Sequence, residues 1–141
     1  MAYVGGDIKE ITVSHPNFGT VTLKPKANES NTYNLGGLRS DDEANGITGD
    51  GTAIRKMNNT RWFVEAVIAN DMNINNEYEK VCGMAADPQE GTWTFTHING
   101  TVYRGTGFPA GDLPLNVNDA TFTLKATGGG NGTAGGLAKQ V

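Results

Sequence analysis

The chain has 141 residues, 37% hydrophobic and 18% charged, with 20 glycines, a formal net charge of −4 and a pI near 5.0. That length fits one domain around a single core, and the scattered basic residues exclude the clustered positive surface of an ordinary nucleic-acid reader. The single cysteine, Cys82, excludes an internal disulfide and a multi-cysteine zinc site; it fits a reducing compartment, with packing as its expected role.

In Asp7 to Ser14, Ile11 and Val13 oppose Glu10, Thr12 and Ser14; in Gly19 to Lys24, Val21 and Leu23 oppose Thr20, Thr22 and Lys24. This alternation predicts antiparallel strands with one packed face and one wet face. Gly36 to Asn59 carries glycines, the acids Asp41, Asp42 and Glu43 and no sustained period, so a long loop is expected, either mobile or ordered by a partner. Arg61 to Asn70 sets Trp62, Val64, Ala66 and Ile68 against Arg61, Phe63, Glu65 and Val67 and predicts the best-buried, central strand. Asn76 and Glu79 form a cap-like start, and Tyr78, Val81, Cys82 and Ala85 recur at helical spacing until Asp87-Pro88 stops a short helix lying on the sheet. Its Gly83 costs about 1 kcal/mol against alanine, so packing must hold it.

Thr92 to Thr106 predicts a hairpin about Asn99-Gly100. Pairing across a two-residue turn puts Trp93, Phe95, His97, Val102 and Arg104 on a dry face, and Thr92, Thr94, Thr96, Thr101 and Tyr103 on a wet one. In Ala120 to Thr127, Phe122 and Leu124 oppose Thr121, Thr123, Lys125 and Thr127. Residues 128–141 follow as a glycine-rich tail expected to be flexible. With neither a basic-then-apolar leader nor a long apolar run, a soluble protein made in the cytosol, with no membrane contact, is expected.

No catalytic set emerges. Asp41, Glu43, Asn45 and Gly46 resemble the opening of a calcium loop, but Thr52 stands where a bidentate glutamate is required. Gly105 and Gly107 lack the third glycine of a dinucleotide site. His15 and His97 have no second histidine at metal spacing and are expected to be packed or hydrogen-bonded. Glu65 has no partner identifiable from sequence. Neither an enzyme nor a cofactor or metal site is expected. A β-sheet of this size has edges that must be covered or closed. A ring of identical subunits would close them and give the threonine faces a channel to line.

The runs YNLGGLRSDDEANGITGDG, RWFVEAVIANDMNINNEYEKVCGMA and WTFTHINGTVYRGTGFPAGDLPLNVNDATFTLKATGGG, in that order, resemble the tail tube proteins of contractile-tailed bacteriophages. The resemblance covers most of the chain. It implies a mainly β fold, an antiparallel β-sandwich or partial barrel with one short α-helix and a long loop, as a single domain over 1–141. It also implies a virion structural protein, made in the host bacterial cytoplasm, forming hexameric rings that stack into a hollow tube. The implied partners are further copies, the tail sheath, baseplate and tape-measure proteins, and double-stranded DNA passing without specific binding. On that expectation the 36–59 loop reaches the adjacent ring through Arg39, Asp41, Asp42, Glu43, Arg55 and Lys56. Thr12, Thr22, Lys24, Thr94, Thr96, Thr121, Thr123 and Lys125 face the lumen. Two rivals are the tube of a type VI secretion or other contractile injection system and a β-sandwich carbohydrate-binding module. The large aromatics fall mainly on faces predicted to be buried, which counts against the second.

Overall fold

A computed structural model describes residues 3–40, 46–129 and 137–140. The chain forms β1 (Ile8–His15), β2 (Gly19–Pro25), β3 (Thr32–Asn34), β4 (Gly37–Ser40), β5 (Gly46–Ile47), β6 (Ala53–Ile54) and β7 (Met57–Thr60). It continues through β8 (Trp62–Ala69), α1 (Glu77–Ala86), β9 (Gly91–His97), β10 (Val102–Pro109), β11 (Leu115–Asn116), β12 (Thr121–Gly128) and β13 (Ala138–Lys139).

Six strands close a ring in the order β12-β10-β9-β1-β2-β8 and back to β12, every pairing antiparallel. The fold is therefore a closed six-stranded antiparallel barrel, where sequence predicted a sandwich or partial barrel. Closure uses up most of the edges that seemed to demand a ring of subunits, and it does so at two short junctions. β2 meets β8 through Lys24↔Ala69 and Pro25↔Ile68, and β10 meets β12 through Phe108↔Thr127 and Pro109↔Ala126.

The alternation in β1, β2, β8 and β12 comes out as read. Ile11, Val13, Leu23, Val64, Ile68, Phe122 and Leu124 are buried inside the barrel with Trp62, Trp93 and Phe95. β8 is central and pairs with β12, β2 and β3. One threonine breaks the pattern: Thr127 is buried, its hydroxyl donating to the Trp62 carbonyl at 2.7 Å.

The β9–β10 register departs from expectation by one residue. The His97 N–H bonds the Thr101 carbonyl at 2.8 Å and the Gly100 N–H bonds the His97 carbonyl at 2.9 Å, so the loop is Ile98-Asn99-Gly100, with Gly100 at φ 95°. Tyr103 therefore pairs with Phe95 and Gly105 with Trp93, while Val102 and Arg104 go to the wet face opposite Thr96 and Thr94. A slip of one residue exchanges every side chain between faces. The dry face of β10 carries Gly105 and Gly107 because the Trp62 indole lies against them; a Cβ on Gly107 would sit 2.7 Å from Trp62 Cζ2.

Where it is described, the 36–59 segment, expected as a long irregular loop, contains paired strands. β3 pairs with β8 through Asn34↔Phe63, and β4 pairs with β7 from Gly37↔Thr60 to Ser40↔Met57, all in one unbroken register. β4 and β7 are thus the outer part of a hairpin rooted in the barrel wall, and β5 pairs with β6 beyond them.

Helix α1 buries Val81 and Met84; Ala85, predicted to pack, is exposed. Asn76 makes no side-chain cap, and the orphan Tyr78 N–H is met instead by Asn70 Oδ1 at 3.0 Å. Gly83 admits the Phe18 ring, whose Cζ would lie 2.6 Å from any Cβ there. Of the tail, Gly128 belongs to β12, and Leu137 is buried beside β13, which pairs with β10 through Arg104↔Ala138 and Tyr103↔Lys139. Within the tail expected to be flexible, Leu137–Gln140 thus lies against the barrel; 130–136 and 141 lie outside the described residues.

Chain direction gives the barrel two unlike ends. The N-terminal arm, the ribbon, the Ile98–Gly100 loop and the C-terminal strand lie at one end. The β1–β2 turn, α1 and β11 lie at the other.

Candidate assembly surfaces

The outer face of β2, β1, β9 and β10 is a wall of cross-strand rows. Thr22, Thr12, Thr94 and Arg104 form one row; Thr20, Ser14, Thr92 and Thr106 form the next. β-branched hydroxyl residues pack against one another on a pleated surface while leaving an oxygen to water. A third row holds Glu10, Thr96 and Val102, with Lys24 Nζ 3.1 Å from Glu10 Oε2. The Lys24 hydrogen bond holds the Glu10 carboxyl below its usual range, helped by Thr12 Oγ1, which donates to Glu10 Oε1 at 3.2 Å. The one acid in these rows is thus neutralised by its neighbour, and the wall is mainly hydroxyl.

The remaining residues expected in a lumen lie elsewhere. Thr121 pairs with Ala69, Thr123 with Val67 and Lys125 with Glu65, on the outer face of β12 and β8. In the six-stranded ring β8 is three strands from β9, and β12 three from β1, so this second wall faces away from the first. The structure brings Thr12, Thr22, Lys24, Thr94 and Thr96 together and separates them from Thr121, Thr123 and Lys125. The second wall is also chemically different. Lys125 Nζ lies 3.6 Å from Glu65 Oε1 and 5.1 Å from the Phe63 ring centroid, beside half-buried Val67. Glu65, without a visible partner in sequence, is paired and exposed.

On the ribbon, Arg39 lies opposite Asn58, its guanidinium donating to the Leu38 carbonyl at 3.0 Å, and Arg55 Nε donates to Ser40 Oγ at 2.5 Å. Lys56 is exposed. Asp41, Asp42 and Glu43 lie outside the described residues. The tip is built on Asp50, whose carboxylate accepts from Thr48 Oγ1 and, at 3.2 Å, from the Thr52 N–H; the Thr48 bond is the main reason its carboxyl lies below the usual range. Sequence reasoning missed this turn, although Asp50-Gly51 is a hairpin signal of the same kind as Asn99-Gly100.

Both histidines use both ring nitrogens within the chain. His15 Nε2 donates to the Gln89 carbonyl at 3.1 Å while Nδ1 accepts the Asn17 N–H at 3.1 Å. His97 does the same with the Gly6 carbonyl, 3.2 Å, and the Asn99 N–H, 3.2 Å. Such rings are fixed in one tautomer and hold turns together. Cys82 is half-buried on α1. Among the described residues no group of three or more His, Cys, Asp or Glu is placed to hold a metal ion. None of the described helices is long and apolar enough to cross a membrane. No known family model and no curated protein matches the chain.

Proposed function

We propose that the chain is the repeating unit of a hollow tube: the inner tail tube of a contractile-tailed bacteriophage, built from stacked hexameric rings within a sheath. The observation that carries this is the polarity of the subunit. A two-stranded ribbon with exposed Leu38, Ile47, Ile54 and Met57 extends from one end, and the other end presents different elements. Contact between unlike ends is heterologous, and when it does not close it generates a filament.

The threonine wall of β2, β1, β9 and β10 supports the conduit role. DNA slides where few cations meet its phosphates, because each phosphate neutralised by Lys or Arg adds affinity that impedes passage. On this reading Thr12, Thr22, Lys24, Thr94 and Thr96 face the lumen, and Thr121, Thr123 and Lys125, on the opposite wall, face away from it. Their wall, with Phe63 and Val67, suits contact with a neighbouring subunit or the sheath. The tube of another contractile injection system has the same requirements apart from its cargo. A carbohydrate-binding module would display flat aromatics, whereas Trp62 and Trp93 are fully buried.

Negative-stain electron microscopy of the purified chain tests the proposal, which expects rings or hollow tubes. A monodisperse monomer at all concentrations would refute it.

A further inference from the structure

Strand β8 changes partners towards the ribbon end of the barrel. Lys24 and Pro25 of β2 pair with Ala69 and Ile68, and the Lys26 N–H bonds the Val67 carbonyl at 2.8 Å. The chain then leaves the wall and returns at β3, where Thr32 and Tyr33 pair with Glu65 and Val64. β1 begins at Ile8, and Gly5, Gly6 and Asp7 continue past it as an arm outside any strand. His97 Nε2 donates to the Gly6 carbonyl at 3.2 Å and the Ile98 N–H bonds the Asp7 carbonyl at 3.0 Å, which ties the arm to the end of β9. A cavity of about 180 Å³ lies here, lined by Gly5, Gly6, Ile8, Asn31, Tyr33 and His97.

Two side chains of this lining have polar atoms that nothing meets. Asn31 Oδ1 accepts the Val67 N–H at 3.3 Å, while its Nδ2 is buried without a hydrogen-bond partner among the described residues. Tyr33 lays its ring against Phe95 and Tyr103, at centroid distances of 6.0 and 5.7 Å, and its Oη is likewise buried and unpartnered. Unmet buried polar atoms are uncommon, because the hydration they lose is not returned. Of three such side-chain atoms among the described residues, two belong to residues lining this one cavity.

The rest of the lining narrows what could meet them. His97 uses both ring nitrogens within the chain, Ile8 is apolar, and no lining residue is charged. An anion would lose its hydration here with no counter-charge to replace it. Burial keeps the Tyr33 phenol protonated at neutral pH, so both unmet groups are donors. A cavity of about 150 Å³ with apolar walls holds benzene, so this one admits a single small ring. The mouth of a barrel is also a common place for such a site.

We propose that this cavity binds a small neutral molecule of one ring, whose carbonyl or amide oxygen accepts from Asn31 Nδ2 and Tyr33 Oη while its apolar part lies against Ile8. The site goes beyond the tube reading and stands whether or not the chain assembles.

Ligand-observed saturation-transfer NMR of the full chain tests it, because it reads binding to single and assembled copies alike. The probes are N-methylpyrrolidone, with one carbonyl, and N-methylsuccinimide, with two. At least one should bind saturably. Cyclopentane, which lacks the oxygen, and cyclopentanecarboxylate, which is charged, should each compete at least about tenfold less well, the scale of one or two buried hydrogen bonds. Tyr33→Phe removes only the unmet hydroxyl, so it should stay folded by circular dichroism and weaken the probe about tenfold. Asn31→Asp keeps an acceptor for the Val67 N–H and removes the donor, and should weaken it similarly; if that variant fails to fold, Tyr33→Phe decides alone. No saturable binding of either carbonyl probe would overturn the proposal. So would binding that a folded Tyr33→Phe leaves unchanged, cyclopentane binding equally well, or a probe-soaked crystal showing only ordered water at Asn31 and Tyr33.

Discussion

Gly107→Ala probes how the barrel closes. Trp62 is fully buried, its indole Nε1 donating to the Thr106 carbonyl at 3.3 Å, and it lies against Gly105, Gly107 and Gly128. A methyl group on Gly107 would meet the Thr127 carbonyl oxygen as well as Trp62 Cζ2 at 2.7 Å. Thr127 belongs to the short β10–β12 junction, so its carbonyl cannot turn away without disturbing that ladder. Overpacking costs about 1–3 kcal/mol and a lost ladder bond about 1 kcal/mol, together roughly 2–4 kcal/mol. An unfolding entropy near 2.1 cal/mol/K per residue amounts to about 0.3 kcal/mol per degree for this chain, so the melting temperature should fall by roughly 7–13 °C. Gly129→Ala is the control, because among the described residues a Cβ there meets nothing within 4 Å; it should shift melting by less than about 2 °C. Thermal unfolding followed by circular dichroism measures both. A Gly107→Ala variant melting within about 2 °C of wild type would refute the close approach of Trp62 to this junction.

Three further outcomes are expected. Replacing residues 38–59 by a short glycine-rich turn should leave the barrel folded, because those described are exposed, but should abolish sedimenting assemblies; ribbonless tubes would contradict its proposed role. Thr12→Lys with Thr94→Lys should make assembled tubes retain nuclease-protected duplex DNA, with retention falling steeply as salt rises. Thr121→Lys with Thr123→Lys should protect none, and the reverse result would exchange the two walls. Burial pushes the Tyr33 phenol up to about 12, its Oη lying buried with no hydrogen-bond partner among the described residues. An unfolded tyrosine ionises near pH 10, so this contribution is complete below pH 10 and is lost as pH rises from about 10 to 12. Ultraviolet titration of wild type against Tyr33→Phe should place the missing transition near 12; finding it near 10 would contradict the burial.

What could be read from the chain followed from where side chains meet a core. Ile11 and Val13, Val21 and Leu23, Phe122 and Leu124 alternate because one face of each strand is dry, and these strands were identifiable from sequence. The ribbon has no dry face, so its pairing left no apolar period; only Asp50-Gly51 marked its tip. The face of β10 was misassigned because Asn99-Gly100 suggested a two-residue turn. His97 Nδ1 accepting the Asn99 N–H instead helps to hold a three-residue loop, and every side chain after it changes face. Gly105 and Gly107 fall short of a nucleotide motif in sequence, and nothing in the alternation showed their role, which is the absence of side chains where the Trp62 indole packs. The threonine surface was recognised strand by strand, but its division into two walls needed the order of strands around the ring. The helix cap was lost for a similar reason, since Asn70 and Tyr78 meet only after the intervening segment has turned.

Helical reconstruction of assembled tubes by electron cryomicroscopy tests the account most directly. It should show rings stacked through the ribbon, with Thr12, Thr22, Thr94 and Thr96 facing an open channel. Density placing the β8–β12 wall on the channel would contradict the lumen assignment, and a chain that forms no rings or tubes would contradict the account as a whole.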